Sequence, residues 1–252
     1  MKINNMTLRV LSAVALIPLV VGVYSLGGFY WWGFLGLLTA GMAYEWFTIT
    51  QNTRPLLWAA FMGVLLVLFL MGKNLLWLGV FAALPAALTQ RGKKAAALLA
   101  GPGIMLPVGC LALIADYTGL ALFWLVLTVW ATDGFAMLAG RAIGGPKLAP
   151  AISPQKTWAG LMGGIGGSAL VTWTFFALLP GLPGALWAYA ILFPVLAQGG
   201  DLLESRLKRA FGVKDSGRII PGHGGILDRA DSFLLTAPAL WLLLSAGALS
   251  FS

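Results

Sequence analysis

Two stretches of this chain concentrate residues able to do chemistry. The first, QGGDLLESRLKRAFG, places Asp201, Glu204, Ser205 and Lys208 at spacings of i, i+3, i+4 and i+7. On a helix that spacing puts all four on one face. The second, KDSGRIIPGHGGILDRAD, runs from Lys214 to Asp231 and holds Asp215, Asp228, Asp231 and the only histidine, His223. Its glycines, among them Gly224 and Gly225, let a backbone come close to a ligand. Lys214, Arg218 and Arg229 add positive charge, so the loop reads as a cradle for an anion. Asp228 and Asp231 are three residues apart and could share one hard cation, with phosphate oxygens completing its coordination. The plainer reading is that acids at the start of a helix cap it and compensate its dipole. That accounts for one Asp more easily than for two beside a histidine, an arginine and several glycines. His223 itself reads equally as a loop-ordering hydrogen-bond partner.

A third stretch, WATDGFAMLAGRAIGGPKLAPAISPQKTWAG, adds Asp133 inside an apolar run, with Gly140 and Arg141 about two turns later. Ser153, Lys156 and Thr157 offer two hydroxyls and a cation just before another apolar run, a grouping that suits a phosphate at a helix N-terminus. Lys147 reads as an ordinary basic loop residue. Glu45, in YEW, could face the same cavity, and Asp116 reads as a solvated acid at a helix end. Cys110 reads as a small buried apolar residue, and one cysteine cannot form an intrachain disulfide.

These groups are embedded in a chain of 252 residues that is 60% hydrophobic and only 10% charged, with a mean hydropathy of +0.90. Soluble domains carry about 25% charged residues, so the composition specifies an integral membrane protein. The apolar runs are unbroken and do not alternate, which argues against a β-barrel. The fold class expected is all-α and polytopic. A span needs about 20 apolar residues, and nine segments come near that length: 8–26, 29–49, 56–72, 75–89, 96–115, 119–139, 159–180, 184–205 and 232–250. GPGIMLP in the fifth predicts a kink or break. The first segment follows a short basic head but is long and lacks a small-x-small cleavage site, so it reads as a retained helix rather than a signal peptide.

With the N-terminus in the cytoplasm, all but Lys73 of the sixteen Lys and Arg fall on the cytoplasmic side, as the positive-inside rule requires. That supports nine spans with the C-terminus outside. It also puts the two long polar segments, 140–158 and 206–231, on the cytoplasmic side as two halves of one site. One integral membrane domain spans 1–252: helices in 1–128, and in 129–252 helices with the loops that carry the site. The net charge of +8 lies in short loops, which suits anionic lipid head groups or anionic substrates and not nucleic acid. Asp201 sits about one turn inside the polar end of its helix. A carboxylate there costs on the order of 3 kcal/mol and needs a partner: either a basic neighbour such as Lys208 or Arg209, or a cation.

The run from Ser205 to Asp231, S-x-x-K-R-x4-K-D-x-G-x3-P-x-H-G-G-x2-D-R-x-D, closely resembles the signature of the CDP-diacylglycerol synthases, also called phosphatidate cytidylyltransferases. ATDGFAMLAGR and SPQKTWAG resemble that family's second block, in the same order. The detailed resemblance covers about 130–232; the N-terminal half matches in hydropathy and in YEW. Two residues depart from the pattern: Ala159 stands where many members carry Glu, and Ala230 is smaller than the usual apolar residue.

The resemblance implies that CTP and phosphatidate give CDP-diacylglycerol and pyrophosphate at the cytoplasmic face of a bacterial inner membrane, among membrane lipids. A homodimer is in keeping with the family. The implied catalytic residues are Asp201, Lys208, Asp228 and Asp231, with Asp201, Asp228 and Asp231 holding Mg²⁺ and room for a second cation. The implied substrate-binding set is Asp133, Arg141, Ser153, Lys156, Thr157, Ser205, Arg209, Lys214, Asp215, His223, Gly224, Gly225 and Arg229. Two other readings stay open on the residues alone. One is a CTP-using kinase of a lipid alcohol, which transfers the γ-phosphoryl group and needs a base. The other is a transporter of an anionic metabolite, although polar density confined to one half argues for an enzyme.

Overall fold

The computed structural model describes residues 18–72, 98–217, 219 and 224–251. The chain forms two compact units, the first built from residues up to Gly109 with Val213–Ala230, the second from Cys110–Gly212 with Asp231–Ser252.

In the first unit, a helix ending at residue 26 is followed by α1 (Gly28–Ile49) and α2 (Pro55–Gly72). Lipid tails are as apolar as leucine, so close packing rather than exclusion of water holds such helices together. Gly36 and Gly63 supply the close approach between α1 and α2: a Cβ on Gly63 would lie 2.6 Å from the Gly36 carbonyl oxygen. Leu35, Met42 and Phe47 of α1, and Met62 and Leu66 of α2, are fully buried. Gly101–Met105, within the expected break at GPGIMLP, forms a π-helical turn that leads into α3 (Leu106–Tyr117). The wider turn accommodates Pro102 and Gly103 without ending the helix. This unit also includes the loop after Val213 and the single turn α7 (Leu227–Ala230), which packs on α1.

The second unit has α4 (Gly119–Ala142), α5 (Trp158–Leu178), α6 (Leu186–Ala210) and α8 (Phe233–Ser245). The α4–α5 pairing is the most extensive. Gly160, Gly163, Gly164 and Gly167 form a small-residue stripe on α5 that lies directly against α4. A Cβ on Gly163 would sit 2.8 Å from the Phe135 carbonyl oxygen, and one on Gly167 2.8 Å from that of Ala131. Trp124 of α4 ties three helices together. Its indole N–H donates to Thr172 Oγ1 on α5 at 3.1 Å, and its ring meets Phe193 of α6 edge-on at 5.2 Å.

Between α4 and α5 the expected polar loop folds into an antiparallel hairpin of β1 (Lys147–Ala149) and β2 (Ser153–Thr157). Lys147 pairs with Thr157 and Ala149 with Ser153. Pro154 is tolerated because a two-stranded ribbon leaves every other N–H outside the ladder. The hairpin corrects the all-helical expectation locally, on a mainly helical chain.

Among the described residues, four helices are long and apolar enough to cross a membrane: Pro55–Gly72, Gly119–Ala142, Trp158–Leu178 and Leu186–Ala210. Phe233–Ser245 and Gly101–Tyr117 are apolar but shorter. The expected spans 29–49, 56–72, 96–115, 119–139, 159–180, 184–205 and 232–250 each coincide with a helical segment. The span 75–89, and most of 8–26, lie outside the described residues.

Candidate functional site

The second unit brings together acids from α4, α6 and the turn before α8. Asp201 of α6 forms a 2.6 Å ion pair with Lys156, whose ammonium also donates to the Gln198 carbonyl oxygen at 3.4 Å. Lys156 reaches α6 because β2 ends at Thr157, which caps α5. Thr157 Oγ1 accepts from the Gly160 N–H at 3.0 Å, filling one of the orphan donors at a helix start. The Thr157 hydroxyl is therefore used as a cap, and Lys156 is the member of the Ser153–Lys156–Thr157 group that reaches an acid. Ser153 opens β2 and is half-buried.

The expected face of α6 forms two i,i+4 pairs. Ser205 Oγ donates to Asp201 Oδ1 at 3.2 Å, and the Lys208 ammonium lies 3.3 Å from Glu204 Oε1. Lys208 and Glu204 are 6% and 4% exposed, so this pair is withdrawn from solvent. Asp201 thus has Lys156 as an ion-pair partner.

Asp231 lies between α7 and α8. Its carboxylate accepts from the Ser232 N–H at 2.7 Å and lies against Glu204, with Asp201 and Lys208 in electrostatic reach. Ser232 Oγ reaches the Asp133 carboxylate of α4 at 3.3 Å. Asp133 is accessible and within electrostatic reach of Asp231, Asp201 and Lys156. Burial first, and the Asp201 charge second, push the Asp231 carboxyl up to about 6; the contacts with Glu204, Ser232 and Lys208 oppose the shift.

Asp133, Asp201, Glu204 and Asp231 face two ammonium groups, Lys156 and Lys208. With all of them ionised the cluster carries a formal excess of negative charge. A shared proton or a bound cation relieves such an excess. The donors are all oxygen, which is the chemistry of a hard divalent cation. Asp201 spends one oxygen on Lys156, and among the described residues no three His, Cys, Asp or Glu side chains already converge as metal ligands.

In the first unit the signature loop is closed by two other acids. Asp228 accepts the Ser216 N–H at 2.9 Å and the Gly225 N–H at 2.9 Å, both on Oδ2. Glu45 is 2% exposed and accepts from the Ile226 and Leu227 N–H groups and from Ser216 Oγ. Gly224 has a φ of 85°, a conformation that glycine adopts without strain. Arg141, Arg209, Lys214, Asp215 and Arg229 are exposed. Arg218 and His223 lie outside the described residues.

Glu45, Ser216, Glu204 and Ser232 were not among the candidates for the site. Glu204 stood on the marked face of α6, and Glu45 was noted but not assigned. Ser216 and Ser232 gave no signal beyond lying inside and just after the charged run.

The family model for the cytidylyltransferase family matches residues 7–246. The chain belongs to the cytidylyltransferase family. A phosphatidate cytidylyltransferase of Brucella abortus biovar 1 (strain 9-941) is 36% identical over 253 aligned residues, covering 95% of this chain and 93% of that protein. One from Bacillus subtilis (strain 168) is 48% identical over 134 residues, 52% of this chain and 49% of the other. One from Rickettsia bellii (strain RML369-C) is 44% identical over 133 residues, 48% and 57% of the two chains. The cytidylyltransferase match thus reaches well into the N-terminal half, where hydropathy and YEW were the only earlier links.

Proposed function

We propose that this chain transfers the cytidylyl group of CTP to phosphatidate, giving CDP-diacylglycerol and pyrophosphate in phospholipid synthesis. The family supports this reaction, and one observation carries it to named residues. Asp133 and Asp201, from two helices, and Asp231, from the turn before α8, lie within electrostatic reach of one another beside Lys156.

A phosphate oxygen of phosphatidate attacks the α-phosphorus of CTP in line. A new P–O bond forms, the bond to the β-phosphate breaks, and pyrophosphate leaves with its electron pair. The nucleophile is already anionic, so no strong base is required. The work lies in alignment and charge neutralisation. Lys156 and Lys208 supply positive charge within the cluster, and Arg209 does so from an exposed position; Lys214 and Arg229, exposed in the first unit, are the other cations the resemblance assigns to the substrates. Ser153 and Thr157 flank Lys156, and Ser205 orients Asp201. Asp201 and Asp231, with Asp133 beside them, are the residues that would hold Mg²⁺ and a second cation. Such a cation would offset phosphate charge on the transferring group. Asp228, the third expected ligand, has backbone N–H groups on its carboxylate and first of all anchors the signature loop.

The finer topology belongs to the same reading: nine spans, a cytoplasmic N-terminus, and a site facing the cytoplasm of a bacterial inner membrane. CTP then enters from the cytoplasm and phosphatidate sideways from the inner leaflet. A homodimer is compatible with it. The deciding experiment uses purified protein in detergent with phosphatidate, Mg²⁺ and CTP labelled in its base, with and without EDTA. Label in a lipid product, lost with EDTA, is the expected result. Folded protein that yields no labelled lipid would overturn the reading.

A further inference from the structure

The buried acid of α1 has no part in the chemistry described so far. Glu45 lies far from the signature loop in sequence, yet it receives several of that loop's donors. Oε1 accepts the Ile226 N–H at 3.0 Å. Oε2 accepts the Leu227 N–H at 2.9 Å and the Ser216 hydroxyl at 3.0 Å. Ser216 in turn connects Glu45 to Asp228: its N–H donates to Asp228, and its Oγ accepts the Asp228 N–H at 3.3 Å.

The backbone is shaped to this carboxylate. A Cβ on Gly217 or on Gly225 would run into the Glu45 carboxylate, so a larger residue at either position would have to displace it. One turn earlier on α1, Gly41 leaves room for Ile226: a Cβ there would lie 2.6 Å from Ile226 Cδ1. Gly41 and Glu45 therefore make a seat into which the end of the loop fits. The sequence on both sides of Ser216–Leu227 carries the basic and acidic residues assigned to the substrates: Lys214, Asp215, Arg229 and Asp231.

We infer that Glu45 is a positioning residue for cytidylyl transfer, fixing Ser216 and the Ile226–Leu227 backbone so that the neighbouring charged residues Lys214 and Arg229 are held ready for an anionic substrate. The inference rests on the proposed reaction. A carboxylate that accepts three donors in a buried seat is stiff, because losing any one leaves a buried polar group without a partner. Preorganised charge is what an in-line displacement needs. Gly217, Gly224 and Gly225 beside this seat have a backbone that only such contacts hold to one conformation. Loss of the seat lowers the fraction of enzyme–substrate complexes that are correctly aligned, which reduces kcat more than it changes KM.

The test compares Glu45→Gln, Ser216→Ala, the double variant, and Leu35→Ala, a buried residue elsewhere on α1. Full-length protein in detergent is assayed for kcat and KM with CTP and phosphatidate, and for thermal unfolding. Glu45→Gln keeps the size of the side chain but turns an amide donor towards an N–H or hydroxyl. It is expected to lower kcat at least about tenfold, the equivalent of one lost charge-assisted hydrogen bond, with KM for CTP changed less than about threefold. Ser216→Ala is expected to lower kcat less, and the double variant clearly less than the product of the two single losses, because the two side chains share one contact. Leu35→Ala lowers the unfolding temperature and leaves kcat unchanged. Wild-type kcat in Glu45→Gln overturns the inference, as do additive losses in the double variant. If Glu45→Gln does not fold, wild-type kcat in Ser216→Ala overturns it. If wild-type protein itself shows no cytidylyl transfer, the parent reading falls and takes this one with it; active wild type with unaffected variants removes the positioning role alone.

Discussion

Replacing Asp231 by Asn should make the protein more stable at neutral pH while abolishing turnover. The Asp231 carboxyl is pushed up to about 6, first by burial and then by Asp201. A free Asp titrates near 3.9. Because the folded value lies above the unfolded one, the folded state binds the proton more tightly. Its stabilising contribution is full below about pH 4 and is lost as the pH rises through about 6. At pH 8 the ionised carboxylate therefore costs up to about 3 kcal/mol, at about 1.4 kcal/mol per pKa unit. Partial exposure and the shared contact with Glu204 reduce that to roughly 1–2 kcal/mol. Asn cannot ionise and keeps an acceptor for the Ser232 N–H. With EDTA at pH 8, Asp231→Asn should unfold on the order of 5 °C higher than wild type, and the gap should close near pH 4. Mg²⁺ should raise the wild-type value more than the variant's, since only wild type keeps the full binding charge. Tryptophan fluorescence at one fixed scan rate, followed by the labelled-lipid assay, checks each part. A variant that unfolds below wild type at pH 8 with EDTA would refute the argument that the carboxylate is strained.

Three further outcomes follow from the geometry. Lys156→Met removes the ammonium that competes for Asp201, so half-maximal turnover should need less Mg²⁺, while kcat falls at least about tenfold for lack of the phosphate-facing charge; a higher Mg²⁺ requirement would contradict the ion pair's role. Thr157→Ala deletes the cap of α5 and should cost about 1 kcal/mol of stability, read as a lower unfolding temperature with the KM for CTP little changed. Gly163→Leu forces α4 and α5 apart where a Cβ already meets the Phe135 carbonyl and Ala139; it should cost about 1–3 kcal/mol and leave little folded protein after detergent extraction.

How much of this could be read from the sequence differs by element. Apolar runs of span length located α1, α2 and α4 to α6, because helix is the one open-ended structure that satisfies its backbone inside lipid. The break at GPGIMLP was expected from Pro102 and Gly103, and it takes the form of a π turn. The β1–β2 hairpin was not expected. Its strands are three and five residues long, too short for an alternating pattern to stand out. On α6 the i+4 spacing gave the shared face, but not the partners: Lys156 lies on the hairpin, and nothing along the chain says that its ammonium reaches Asp201 instead of solvent. Glu45 was the least legible. Its significance depends on a hydrogen bond to Ser216 across 171 positions, a separation no local pattern encodes.

Asp228 and Asp231 show why residue type and spacing stop short of function. The two are three residues apart in one motif, and both looked like ligands of a shared cation. Asp228 meets backbone N–H groups on its carboxylate. Hydrogen bonds of that kind favour the ionised form and satisfy it internally. Asp231 has one backbone N–H, a second carboxyl against it and Asp201 nearby. It is the acid left with negative charge to spare. A carboxylate whose donors come from its own loop holds that loop together, whereas one pressed against other acids at a cost in stability is waiting for something positive. By this measure Glu45 and Asp228 are the frame of the signature loop. In the proposed reaction Asp231, with Asp201 and Asp133, would be completed by a cation. Strain of that kind persists only where the surrounding structure holds it and the reaction uses it.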